Sequence, residues 1–163
     1  MDRDPSVEPH RRVSSRLHIA LMLAWGLAAC SPRPSTPPDL EHVPMAGERS
    51  LPFSAAVRAG SMLYLSGQLG TDSTLQLVPG GIGPETRQAL ENIRAIVTAA
   101  GSGMDRIVKC TVMLADMREW GAMNQEYVKF FPGPLPARSA LGASGLALDA
   151  RVEIECIAAL EPA

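Results

Sequence analysis

Apolar residues between positions 51 and 163 follow two spacings, one typical of strands and one typical of helices. Runs rich in β-branched and aliphatic residues predict strands at 53–58, 62–66, 107–115, 138–143 and 151–160, with a short additional strand at 75–78. Two helices are predicted between these strands. Since the strands gather at both ends of the segment and do not alternate strictly with helices, the pattern indicates an α+β domain.

Both predicted helices carry start and stop signals. Pro84 suits the first position of a helix and Glu85 favours its positive end, while the Gly-Ser-Gly run at 101–103 ends it. The second helix is predicted to begin at Asp116, three residues before Glu119, as in a capping box. Its apolar stripe is predicted to pack in the core and consists of Trp120, Met123, Tyr127, Phe130 and Phe131.

Two strands are apolar at consecutive positions, 62–65 and 112–114, which indicates that both faces of the sheet need burial. Two helices cover only one face, so a symmetric homo-oligomer is predicted to cover the other. In the last strand Val152, Ile154 and Cys156 are expected to face the helices. Glu153 and Glu155 then share the opposite face, at the predicted subunit junction.

The first 50 residues differ in composition from the rest. Basic residues, an apolar run at 17–27 and small residues before Cys30 predict an export signal at 1–29. The run at 27–30, Leu-Ala-Ala-Cys, resembles the lipobox of bacterial lipoproteins, which predicts lipidation of Cys30 and anchoring at the cell envelope, on the periplasmic side in a two-membrane bacterium. An ordinary secretory signal and an uncleaved anchor are the alternatives. The proline-rich segment 30–50 is predicted to be a tether without a core, followed by the domain at 51–163.

Charge and cysteine content narrow the possibilities further. The net charge of −2 provides no basic footprint, so no nucleic-acid partner is expected. Cys110 and Cys156 are the thiols beyond Cys30, and an exported compartment permits a disulfide between them. Both lie in apolar strand patterns, which favours buried free thiols, because sequence spacing does not establish disulfide geometry.

Arg138 and Glu153 are the strongest candidates for chemistry. A guanidinium presents a planar fork of donors that matches a carboxylate, so a partly buried Arg138 is suited to hold a small carboxylic acid. Glu153 is suited to polarise a water. The alternative is a structural salt bridge between the two residues across an interface.

Several motifs in order resemble the RidA (YjgF/YER057c/UK114) family of reactive-intermediate deaminases. They are Leu65-Ser66-Gly67-Gln68, the run at 86–93, Pro136-Ala137-Arg138-Ser139, the spaced Leu141, Ser144 and Leu146, and Val152-Glu153-Ile154. The resemblance implies a chorismate-mutase-like α+β fold with two helices packed on one face of a mixed sheet. It also implies a homotrimer with ligand sites in the clefts between subunits.

The same resemblance implies roles for individual residues. Arg138 would hold the carboxylate of a 2-imino or enamine acid, Glu153 would position the attacking water, and a main-chain group at Ala140 would assist. Phe53, Ser66 and Gly67 would line the cavity, and neither a metal nor an organic cofactor is implied. This chain departs from many deaminating members, which have Tyr at the position of Phe53 and Cys at that of Ala140. Ser66 also has a plain interpretation, as a hydroxyl that satisfies the backbone at a strand end.

Three functions remain open from the sequence. The first is hydrolytic deamination of small 2-imino or enamine carboxylic acids at the cell envelope, in the manner of 2-iminobutanoate/2-iminopropanoate deaminases. The second is non-catalytic binding of small carboxylic acids. The third is endoribonuclease activity, which occurs in some relatives and which the acidic balance and the predicted envelope address both disfavour.

Overall fold

The computed structural model describes residue 37, residues 39–45 and residues 51–161, and all but the first of these lie in one compact unit. Two helices occur in this part of the chain, α1 (Ile82–Ala99) and α2 (Trp120–Tyr127). The strands are β1 (Leu40–Val43), β2 (Ala56–Ala59), β3 (Met62–Leu65), β4 (Gln68–Leu69), β5 (Ile107–Leu114), β6 (Ala137–Gly142) and β7 (Val152–Ala159).

The strands form one mixed sheet in the order β1-β2-β3-β7-β5-β6. β2 and β3 form a hairpin, whose turn places Gly60 at a φ of 59°, a left-handed conformation that glycine adopts at little cost. β3 and β4 both pair with β7, one after the other, so they are two pieces of a single interrupted strand. β5 pairs with β7 antiparallel and with the edge strand β6 parallel. The predicted fold class, a mixed sheet with two helices, is confirmed.

The two faces of the sheet are buried to different degrees. Val152, Ile154 and Cys156 of β7 lie in the core beneath the helices, as predicted from their alternation. Glu153 and Glu155 point to the opposite face, which also carries the exposed side chains of Tyr64 and Leu141. We call this uncovered side the open face, and the other side the helix face.

Several element boundaries differ from the sequence prediction. The strand β1 falls within the predicted tether, where its backbone pairs with β2 although most of its side chains are exposed. The predicted strand at 75–78 is reduced to one isolated bridge, Thr71 with Leu77. Helix α1 begins at Ile82, two residues before Pro84.

The predicted capping box at the second helix is wrong in part. Asp116 does act as the cap, since its carboxylate accepts the backbone N–H of Arg118 at 2.9 Å, but the turn that it caps is a 3-10 helix, Met117–Glu119. Glu119 does not bond back to the cap and instead pairs with Arg151. The α-helix itself starts at Trp120.

The preference for free thiols at Cys110 and Cys156 is corrected by the structure, in which the two cysteines form a disulfide. They are directly paired residues on the antiparallel strands β5 and β7, and both side chains are buried in the core. This register was not available from their separation of 46 residues along the chain. Pairing of the two strands therefore brings the cysteines close together, which their spacing in the sequence could not establish.

The predicted signal at 1–29 and the predicted lipidation site Cys30 lie outside the described residues, as does most of the predicted tether. Within the described ranges, neither helix has the length and apolar character needed to cross a bilayer.

Candidate functional site

Arg138 lies on the edge strand β6 and points to the helix face. Its Nη1 donates a hydrogen bond to the side-chain oxygen of Asn124 on α2, at 2.6 Å. The guanidinium carbon also lies 4.7 Å from the centre of the Tyr127 ring, a cation–π contact. Among the described residues no carboxylate forms an ion pair with Arg138, so its remaining donors face no countercharge there. A half-buried cation with this geometry is suited to a small carboxylate.

Two aromatic residues predicted to be core packing support this cation. Trp120 is 43% exposed and its ring lies 5.8 Å from the Arg138 guanidinium, so its assignment to the core was wrong. Tyr127 is buried as predicted, and burial raises its pKa to about 12 although the charge of Arg138 opposes the shift. Tyr127 therefore stays neutral and offers its ring face to the guanidinium.

Glu153 lies on β7 and points to the open face, where it is paired with Met113 on one side and Leu69 on the other. Its side chain is half-buried. Burial raises the pKa of Glu153 above the ordinary value of a glutamate, and the neighbouring charge of Glu155 raises it further. A carboxyl group with a raised pKa exchanges protons more readily near neutral pH, as a general acid or base requires.

Gly67 occupies the break between β3 and β4, beside the Glu153 carboxylate. A Cβ built at Gly67 would overlap Oε1 of Glu153. Because that oxygen is the far end of a flexible side chain, a larger residue at position 67 would displace the Glu153 carboxyl group from its present position. The interruption of the strand and the absence of a side chain at Gly67 leave room for the Glu153 carboxyl group.

Ser66 and Phe53 lie next to Gly67. The Ser66 hydroxyl donates to the backbone oxygen of Ser54 at 2.7 Å, which is the plain role predicted for a strand-end serine. The Gln68 amide holds the turn, donating to the backbone oxygens of Ser66 and Gly67. Phe53 is 50% exposed and lines, with Gly67, a groove of about 450 Å3.

The predicted site residues divide between the two faces of the sheet. Arg138 is paired with Cys110 and Ala140 with Val112, so both lie on the helix face. Glu153 is three positions from Cys156, the residue that shares a row with Arg138, and an odd separation places it on the open face. One chain therefore does not bring Arg138 and Glu153 together, and Gly67 lies with Glu153.

None of the residues that hold Arg138 was predicted from the sequence to have this role. Trp120, Asn124 and Tyr127 are spaced i, i+4 and i+7, so they form one stripe of α2 facing the edge strand. A polar asparagine, a weak helix former, within this stripe was the available signal. No group of three or more potential metal ligands occurs among the residues that the structure describes.

Comparisons with known proteins identify relatives of this chain. A family model described as Endoribonuclease L-PSP matches residues 46–160. The chain is 47% identical over 112 residues to a mouse protein named 2-iminobutanoate/2-iminopropanoate deaminase, covering 68% of this chain and 83% of the mouse protein. It is 46% identical over 108 residues to the RutC family protein UK114 of Drosophila melanogaster, covering 66% and 78% respectively.

Solved structures agree with this result. The crystal structure of RidA from the Antarctic bacterium Psychrobacter sp. superposes with a TM-score of 0.66 at 34% identity, covering 77% of this chain and all of the bacterial one. The resemblance predicted from the motifs is thus confirmed at the level of family and fold. The individual site residues stay predictions.

Proposed function

The chain belongs to the RidA, or endoribonuclease L-PSP, family, and on that premise we propose that it hydrolyses small 2-imino and enamine carboxylic acids to 2-oxo acids and ammonia. The observation that carries the proposal is the state of Arg138. It is held by Asn124 and the aromatic stripe but has no carboxylate partner among the described residues. A substrate carboxylate supplies the missing countercharge.

The reaction requires water to add to the carbon of the C=N bond and a proton to reach nitrogen. In the proposal the ionised Glu153 takes a proton from water as the oxygen attacks the imine carbon and passes it to the imine nitrogen, which gives a neutral carbinolamine. The carboxylate then takes the proton of the carbinolamine hydroxyl and delivers it to the amino nitrogen, so the C=O bond forms as the C–N bond breaks, and ammonia and the 2-oxo acid leave. The raised pKa of Glu153 suits both transfers.

We infer that the complete site forms in the cleft between subunits of a homotrimer. Arg138 at the edge strand and Glu153 on the open face cannot meet within one chain, since they lie on opposite faces of the sheet. The open face also exposes Tyr64 and Leu141, apolar surface that a second copy would cover. A cyclic assembly places the edge of one copy against the open face of the next.

A subunit-mixing experiment tests this arrangement. Arg138→Ala and Glu153→Gln chains should each be inactive alone, because every cleft lacks one of the two groups. After the two variants are unfolded and refolded together in equal amounts, about one quarter of the clefts should contain an intact Arg138 and an intact Glu153. Recovered ammonia release near that fraction supports the shared cleft, and no recovery beyond the separate variants contradicts it.

The role of Arg138 in substrate recognition is tested with the single variant. Arg138→Ala should reduce kcat/KM for freshly generated 2-iminobutanoate by roughly 100-fold or more, because a charge-assisted contact of about 3 kcal/mol is lost. Arg94→Ala is the matched control, since Arg94 also lies over an aromatic ring, Phe130 at 5.3 Å, but is paired with Glu91. Calorimetric binding of 2-oxobutanoate that depends on Arg138, without any turnover of the imine, would indicate a carboxylic-acid binder instead.

We also propose that the chain is exported and anchored by lipid at Cys30. The buried Cys110–Cys156 disulfide supports export, because such bonds form and persist in oxidising compartments. Metabolic labelling with radioactive glycerol and membrane fractionation test the anchor. The natural chain should carry label and sediment with membranes, whereas Cys30→Ala should do neither; an unlabelled natural chain rejects the anchor.

A further inference from the structure

Two leucines adopt a backbone conformation that side chains rarely adopt. Leu75 has a φ of 64° and Leu148 a φ of 61°, and the residue after the second, Asp149, also has a positive φ. These three are the non-glycine residues with positive φ in the described part of the chain. Left-handed backbone is unfavourable for leucine and persists only where surrounding contacts impose it.

The segment around Leu148 is held firmly on both sides. The buried Ala150 donates its backbone N–H to Ala147, and the backbone N–H of Arg151 donates to the carboxylate of Glu85 at 2.8 Å. Glu85 is itself buried at the start of α1. The leucine is nevertheless 58% exposed, so the strained conformation does not serve to bury this side chain.

Leu75 is fixed by a turn around Asp72. One carboxylate oxygen of Asp72 accepts the backbone N–H groups of Thr74 and Gln76, and the N–H of Leu75 donates to the backbone oxygen of Asp72. The turn at Leu75 and the segment at Leu148 are far apart in sequence. Each independently presents a left-handed leucine to the same groove.

That groove is the one of about 450 Å3 that Gly67 lines, and its apolar lining includes Leu51, Phe53, Leu69, Leu75 and Leu148. Gly67 touches the Glu153 carboxylate, and Leu69 is paired with Glu153 across β4 and β7. The groove therefore passes beside the proposed water-handling group, and the two leucines line it. Its size falls in the range of sites for ligands larger than a two-carbon side chain.

We propose that this groove binds the apolar side chain of the substrate, so that the chain prefers 2-imino acids with longer aliphatic side chains over 2-iminopropanoate and 2-iminobutanoate. The inference rests on the proposed deaminase function and specifies its substrate class. Leu75 and Leu148 determine the preference by contacting the distal carbons, while Arg138 and Glu153 act on the carboxylate and the imine. The left-handed backbone aims both leucines into the groove at the expense of local stability.

A series of linear substrates tests the proposal. The imines of alanine, 2-aminobutanoate, norvaline and norleucine are generated in the assay by an L-amino-acid oxidase, and ammonia release gives kcat/KM for each. Each added methylene that enters the groove should raise kcat/KM roughly fourfold in the full-length protein. Leu148→Ala should flatten this series, whereas Leu135→Ala should keep its slope, because Leu135 is equally exposed at 57% but does not line the groove.

A second variant separates the side chain from the backbone. Leu148→Gly removes the side chain while glycine adopts the same φ without strain, so it should flatten the series and raise the melting temperature slightly. A flat series in the natural chain, or an unchanged slope in both Leu148 variants, overturns the subsite. If no imine is hydrolysed at all, the deaminase function fails instead, and calorimetric affinities for 2-oxo acids of the same four lengths decide the subsite.

Discussion

The two sides of the sheet differ in how complete they are within one chain. On the helix face, Arg138 is already fixed by a hydrogen bond to Asn124 and by contacts with the rings of Trp120 and Tyr127. On the open face, Glu153 lies beside a glycine, with a raised pKa and exposed apolar neighbours. The difference teaches that the surroundings of Arg138 are complete within one chain, whereas those of Glu153 depend on what covers the open face.

The largest expected effect concerns the stability of the helix face. The Cys110–Cys156 bond closes a loop between residues 46 positions apart, so its reduction should lower the free energy of unfolding by about 4 kcal/mol. Urea unfolding of the natural chain with and without dithiothreitol measures this difference. A Cys110→Ala/Cys156→Ala chain serves as the control, since the reductant should not affect it; equal shifts in both would show that the bond contributes nothing.

The second-largest effect is expected from a substitution on the open face alone. Gly67→Ala places a methyl group where the Glu153 carboxylate lies, so kcat/KM for 2-iminobutanoate should fall by roughly 100-fold while 2-oxobutanoate still binds at Arg138. Gly145→Ala is the matched control, because no atom lies within 4 Å of a Cβ at that position. Comparable loss of 2-oxobutanoate binding in Gly67→Ala would mean that the two faces are not independent.

A smaller effect is expected when Arg138 keeps its charge but loses its support. Asn124→Ala removes the hydrogen bond to Nη1, worth about 1.5 kcal/mol for a charged partner, so KM should rise roughly tenfold with little change in kcat. Gln125→Ala, at the exposed neighbouring position of α2, should leave KM unchanged. Asn124→Asp should raise KM further, because a carboxylate there competes with the substrate for the guanidinium. A fall in kcat alone would contradict the positioning role.

The smallest expected effect is the pH-dependent contribution of Glu153 to the stability of the folded chain. Since burial raises its pKa in the folded chain, ionisation of this carboxyl opposes folding as the pH rises from the ordinary glutamate value through the raised one. Glu153→Gln removes that opposition, so the variant should gain melting temperature over the natural chain near pH 7 and gain little near pH 4. Glu155→Gln, at an exposed position on the same face, is the comparison; a gain that does not vary with pH contradicts the assignment.

Local patterns were sufficient to predict most of the fold. The alternation at 152–156 identified the buried side of β7, and the apolar spacing from Leu90 to Val97 identified α1, because both depend on residues close in sequence. β1 escaped detection because its side chains are largely exposed, and only backbone pairing with β2 makes it a strand. Exposed edge strands carry little hydrophobic pattern.

The candidate site was harder to predict from the sequence than the fold, because its contacts join residues far apart in the chain. The contact between Asn124 and Arg138 depends on how α2 packs beside β6, and the close approach of Gly67 to the Glu153 carboxylate joins residues 86 positions apart. The division of Arg138 and Glu153 between two faces follows only from the register of β5 with both neighbours. Register of this kind is set by tertiary packing, which no short pattern encodes.

Because the Cys110–Cys156 bond is buried, its redox state can indicate the compartment in which the protein folded. Both sulfur-bearing side chains are enclosed by the core, so small reductants reach them only when the domain opens. The oxidation state acquired during folding is thereby preserved after the chain moves elsewhere. Alkylation of unfolded protein taken directly from cells, followed by mass measurement, would report the compartment in which each molecule matured.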